Sequence, residues 1–355
     1  MVRRGTPASA RLTGVPARPR RRCARRDQAA TRGGQGSCAR AGGLVSRVAV
    51  IGAGAVGCYY GARLAEAGHE VHFLMRRDYE AVQARGLSIV SKDGDLYIAH
   101  PHIARDASAI GPVDWVICAL KATAIEEARA LVAPCVGAST RILVLMNGLG
   151  LEDRFAVWFG AERIFGGLAF TCINRGEPGV VHHIDYGPVT VGHLKDDPAE
   201  LDTALALWSG AKVETARAES LLAGRWTKLC WNIPFNGLAV TAGGITTDRI
   251  LADPSLRAAV SALILEVAAA GNADLDAHGS PARLDGAAVA RSMVAATEAM
   301  AAYRPSTMID FVEGQPMEVE AIFEEPLRRA SAHRVATPLL SLVTGQMRSL
   351  NARAR

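Results

Sequence analysis

The sequence predicts an α/β protein, a doubly wound parallel sheet followed by an all-α second part. Three observations carry this. Short buried-type strands alternate with amphipathic helices from Arg47 to about residue 150, which is the spacing of a parallel sheet. A glycine-rich turn joins the first strand to the first helix. After about residue 215 the apolar residues recur at helical spacing.

The elements follow in order. RVAVIGAG (47–54) reads as a buried strand entering a turn, and AVGCYYGARLAEAG (55–68) as a helix closed by Gly68. HEVHFLMRR (69–77) is the second strand. LSIVS (87–91) and LYIAHPHI (96–103) read as a short hairpin, turning at Asp93-Gly94. VDWVICALK (113–121) is a strand, IEEARALVAPCV (125–136) a helix and RILVLMNG (141–148) a strand. Residues 163–194 hold short strands with turn residues. Residues 219–244, 255–275, 287–301 and 317–333 are helical by periodicity. The division is a tail of residues 1–46, a nucleotide-binding domain of 47–214 and a helical domain of 215–350.

The tail is Arg-, Gly-, Ala- and Pro-rich, with no lysine, no aromatic residue and no apolar period, and is expected to be disordered. It resembles a transit peptide in composition, and an over-extended start is the alternative. It carries eleven arginines against one acid, Asp27, so the rest of a chain of net charge +5 is mildly acidic at −5. That argues against a nucleic-acid-binding core. No run of about 18 uncharged apolar residues suggests a membrane span. The seven cysteines are scattered, with no CxxC pair, which suits a reducing, cytoplasmic setting. No metal site is expected: His182-His183 reads as a strand edge or turn.

Gly52-Ala53-Gly54-Ala55-Val56-Gly57 has the GxGxxG form and sits between strand and helix, the context of a Rossmann dinucleotide site. Gly52 allows the tight turn, Gly54 lets a pyrophosphate approach the backbone, and Gly57 lets helix and strand pack closely. The second strand ends in Leu74-Met75-Arg76-Arg77, where NAD sites carry an acid. A guanidinium at Arg76 suits the 2′-phosphate of NADPH. A solvated arginine pair is the alternative.

Lys228, Asn232 and Asn236 fall at i, i+4 and i+8, on one face of an apolar helix. Polar groups on a buried stripe need partners. A structural hydrogen-bond network would satisfy them. So would a catalytic site, since a buried lysine beside a cleft can protonate a carbonyl oxygen as hydride reaches its carbon. Pro234 should bend this helix and Gly237 weaken it.

Taken together, residues 51–77, CALKA (118–122), LVLMNGLG (143–150), GRWTKLCWNIPFNGL (224–238), residues 303–322 and VATP (335–338) resemble the ketopantoate reductase (2-dehydropantoate 2-reductase) family, over residues 47 to about 345. The resemblance implies a Rossmann domain, a helical domain similar to those of phosphogluconate dehydrogenases, and an active site between them. It implies NADPH-dependent reduction of a small 2-keto acid, ketopantoate above all, and a possible homodimer. It places Lys228 on the general acid and Glu318 on the acid that supports it. It places Asn147, Asn232, Asn236 and Ser306 on substrate-binding positions, and Lys121 and Asn147 on cofactor contacts. The chain departs from the family after Glu318: the usual Ile-Asp pair and following Gly are replaced by Val319-Glu320 and Ala321 to Pro326. Gly243 to Thr246 stand where some members carry a further Asn. The alternatives are a hydroxy-acid or opine-type dehydrogenase and a non-catalytic NADP sensor.

Overall fold

Residues 45–353 are described by a computed structural model of the chain. The expectations for residues 1–44, Cys23 and Cys38 among them, lie outside the described residues.

The apolar run after Ser46 forms β1 (Arg47–Ile51), followed by α1 (Ala55–Glu66) and β2 (Glu70–Leu74). A short α2 (Tyr79–Arg85), not read from the sequence, leads to β3 (Leu87–Ser91) and β4 (Leu96–Ile98). These two form the expected hairpin, pairing antiparallel. The segment read as the hairpin's second arm splits, however: β4 stays with β3, while β5 (His102–Ala104) joins β2. β6 (Val113–Cys118), α3 (Ile125–Val132), β7 (Val136–Val144) and α4 (Leu151–Phe159) complete the alternating half.

The stretch read as short strands is instead two long ones, β8 (Ile164–Arg175) and β9 (Val180–His193), paired antiparallel. Long pairing across this ribbon outweighs the local turn signal of Gly166, Gly167, Gly187 and Gly192, which sit within the strands, while Gly176 and Gly179 make the turn between them. His182 and His183 lie inside β9, and buried His183 bonds Ser91 Oγ and the Tyr186 carbonyl. α5 (Pro198–Ala206) and β10 (Thr215–Arg217) follow, β10 pairing with β9.

The strand order is β4-β3-β9-β8-β7-β6-β1-β2-β5, parallel from β8 to β5 and mixed at the other end. A flat path of nine strands would span roughly 38 Å. Yet β4 at one edge ends only four residues before β5 begins at the other, a reach of at most about 15 Å. The sheet must therefore curl, and α1 is what it curls around. This helix is buried from Gly57 to Leu64 and packs on β1, β2, β4, β8 and β9. The other face of the sheet is covered by α3 and α4.

The helical part opens with α6 (Leu221–Thr241), capped by Ser220. It is unbroken through Pro234, although that residue has no N–H to offer Cys230, because both flanks are packed: residues 229–240 are buried throughout. Gly237 is a packing residue, since a Cβ there would stand 2.6 Å from Val343. α7 (Thr247–Ala252), α8 (Pro254–Ala277), α9 (Gly286–Glu298), α10 (Ser306–Val312), α11 (Glu325–Ala332) and α12 (Pro338–Arg353) surround it. α8 is long and apolar enough to cross a membrane by length and composition, but it carries Arg257 and Glu266 and packs into the helical core against α6.

Candidate active site

The glycine loop is shaped by contacts that exclude side chains. Gly52 has φ +95°, and a Cβ there would meet the Ala119–Leu120 backbone at 2.6 Å. A Cβ on Gly57 would stand 2.3 Å from the Gly52 carbonyl oxygen. Gly54 differs: the nearest atom to its missing Cβ is an Arg175 nitrogen at 3.9 Å, so this face is open. α1 has neither a side-chain N-cap nor an acid in its first turn. The amides of Ala55, Val56 and Gly57 open the helix without carbonyl partners inside it, an arrangement suited to receiving an anion. Arg76 follows β2 and is exposed, with only a loose ion pair to Glu127 at 3.7 Å. These residues fit a dinucleotide, with an exposed guanidinium just past the end of β2.

The second cluster joins four segments. The chain leaving β7 turns at Asn147-Gly148, and Gly148 has φ +116° with Ala321 so near that a Cβ would meet it at 2.4 Å. Leu149 N–H donates to the Ala321 carbonyl at 2.9 Å. Ala321 belongs to a π-helical turn, Glu320–Glu324, that precedes α11. Pro326 explains the wider turn, since its ring would clash with the carbonyl four residues back in an α-helix. The sequence departures after Glu318 thus coincide with a change of helical pitch.

Glu318 is buried and accepts from Ala122 N–H at 2.7 Å. Lys228 Nζ donates to Asn147 Oδ1 at 2.8 Å, and the other side of the Asn147 amide is within reach of Glu318. Asn147 thus lies between Lys228, which it bonds, and Glu318, which it neighbours. Burial pushes the lysine down to about 7, and the nearby Arg225 guanidinium adds to this, while Glu318 and Glu152 oppose it. Burial raises the Glu318 carboxyl, against the Ala122 hydrogen bond and the charge of Lys121.

Lys228 and Asn232 line one cavity of about 940 Å³, whose other walls include Leu168, Phe170, Trp231, Ala282 and Met293. Asn236 is not in that wall. It is 1% exposed and both ends of its amide are used: Nδ2 donates to the Asn232 carbonyl at 2.9 Å, and Oδ1 accepts from Thr307 N–H at 3.1 Å. Ser306 is exposed and opens α10. Lys121 Nζ donates to Asp310 Oδ1 at 2.5 Å, tying the loop after β6 to α10.

Sequence reasoning missed Asp310, Arg225 and Arg175. Arg225 is buried one turn before Lys228; it donates to the carbonyls of Met146 and Val144 at 2.9 and 3.0 Å and pairs with buried Glu152. It clamps α6 to the end of β7 and so places Lys228 beside Asn147. Its position three residues before Lys228 was the available signal.

The sequence profile of ketopantoate reductase PanE/ApbA matches residues 48–196, and that of the family's C-terminal part matches residues 220–351. A 2-dehydropantoate 2-reductase of Nostoc sp. is 36% identical over 315 residues, covering 87% of this chain and 96% of its own length. A solved 2-dehydropantoate 2-reductase from Geobacter metallireducens is 41% identical with a TM-score of 0.81, covering 87% of this chain and 100% of that one. One from Methylococcus capsulatus is 32% identical with a TM-score of 0.78, covering 87% and 97%. The chain belongs to the ketopantoate reductase family, pyridine-nucleotide-dependent oxidoreductases acting on a CH–OH group.

Proposed function

We propose that the protein reduces ketopantoate to pantoate with NADPH, residues 47–214 holding the cofactor and residues 215–350 the substrate, in the cytoplasm. The observation that carries this is the Lys228–Asn147 hydrogen bond, with buried Glu318 beside the same amide, at the carboxyl end of β7 on the glycine loop's side of the sheet. When bound, NADPH supplies the hydride. Lys228 donates to the substrate carbonyl oxygen and gives it a proton as that oxygen turns basic. Glu318 orients Asn147 and keeps the lysine's charge favourable. The Asn232 amide and the Ser306 hydroxyl bind the substrate's polar ends. Asn236, satisfied on both sides, positions Asn232 and the start of α10. Arg76 binds the 2′-phosphate; Lys121 and Asn147 reach the cofactor.

The cavity favours a second reading, in which the substrate is a 2-keto acid with a bulkier apolar side chain. Phe170, Trp231 and Met293 line the cavity together with Lys228 and Asn232, and Asp196, Arg217 and Glu219 also reach its wall. NADPH oxidation measured against pyruvate, ketopantoate, 4-methyl-2-oxopentanoate and phenylpyruvate decides. Highest kcat/KM on ketopantoate supports the first reading, and highest on phenylpyruvate the second. Cofactor binding with turnover of none would leave a sensor.

A further inference from the structure

β8 outruns its neighbours. Its first residues pair with β7 in parallel, so it points toward the edge where β1 and β6 deliver the glycine loop, but it continues to Arg175. The overhang, held by β9, carries the Arg175 guanidinium over the opening turn of α1. There Arg175 Nη2 lies 3.4 Å from the Ala53 carbonyl and 3.9 Å from where a Gly54 Cβ would be. Nη1 lies 3.5 Å from both carboxylate oxygens of Asp78, just past β2. At these distances the guanidinium is loosely held and keeps donors to spare.

Gly54 is the residue whose missing side chain leaves room for a pyrophosphate. The nearest group to that room is a cation, and the same cation neutralises Asp78, an acid that would repel phosphate. We propose that Arg175 clamps the cofactor's pyrophosphate from the side opposite the α1 amides, screening Asp78 as it does so. This rests on the nucleotide-binding reading above. The glycine loop is then one wall of the phosphate seat, and a residue about 120 positions later is the other.

The test is titration of the full-length protein with NADPH and with NADH, at low and moderate salt, for the unmutated chain, Arg175→Ala, Arg175→Lys, Asp78→Asn and Asp78→Asn/Arg175→Ala, each checked by melting temperature. Both nucleotides share the pyrophosphate, so Arg175→Ala should weaken both about tenfold or more, with their ratio unchanged. Arg175→Lys should recover part of the loss, and the salt dependence of Arg175→Ala should be shallower. Loss confined to NADPH would make Arg175 a 2′-phosphate contact and overturn the assignment. Full recovery in the double variant would show that only an unmasked Asp78 was at work, and would overturn it as well. An unmutated chain that binds neither nucleotide would sink the functional reading; binding by that chain and equally by Arg175→Ala would sink this inference alone.

Discussion

Lys228 has a depressed pKa, and the cause decides how the site behaves. A general acid works best near the operating pH, and burial brings this lysine to about 7. The protonated form is the one that reduces, so kcat/KM for reduction should fall as pH rises through about 7. An anionic substrate favours the ammonium, so the same limb in kcat should sit higher. Glu318→Gln removes a charge that holds the lysine up, so it should shift the kcat/KM limb downward. A limb near the ordinary lysine value, unmoved by Glu318→Gln, would count against this assignment. Lys228→Ala should lower kcat by about 10²–10⁴-fold, the usual worth of a placed acid, while nucleotide affinity measured by titration stays near normal. Arg76 makes a separate claim. The unmutated protein should prefer NADPH over NADH by at least about tenfold, roughly 1.4 kcal/mol, and Arg76→Ala should remove most of that preference. Equal affinity for both cofactors before mutation would refute it.

At the scale of elements, the glycine loop and α1 act as one piece. α1 is surrounded by the curled sheet, so the loop that opens it cannot move independently. Gly57 touches the Gly52 carbonyl with no space for a methyl group. Gly57→Ala should therefore cost about 1–3 kcal/mol by overpacking, read as a lower Tm, and should weaken cofactor binding by displacing the α1 amides. An alanine variant with unchanged Tm and affinity would show that loop and helix separate easily. α6 is the matching element in the helical part. Its residues 228 and 232 face the cavity, while residue 236, on the same spacing, is taken up by α10. The i, i+4, i+8 stripe identified a buried polar face, but the neighbour packed over each turn determines what that turn does.

On the scale of the whole molecule, the described residues close on themselves around three large cores, one on each face of the sheet and one about α6, with a small fourth at Leu168, Ala218 and Leu221. Residues 1–44 carry no apolar period with which to dock on it. Their deletion should leave Tm, nucleotide affinity and kcat unchanged within error; a truncated chain that fails to fold would show the segment to be integral. Much of this architecture was legible in the chain. Strand and helix periods, the GxGxxG turn and the Lys228–Asn232–Asn236 spacing are properties of neighbours a few residues apart, where covalent geometry sets which side chains share a face. The curl of the sheet, the length of the β8–β9 ribbon and the split of β4 from β5 were not legible, because they depend on which distant strands pair. The same holds in the site. Local sequence determined that a glycine loop would meet a helix N-terminus and that a lysine would sit on a buried helical face. Only the tertiary structure brought Glu318 to Ala122 and Asn147, Asp310 to Lys121 and Arg175 to Gly54. Those contacts join residues about 120 to 200 positions apart, and the burial that sets the lysine's acidity exists only once they have formed.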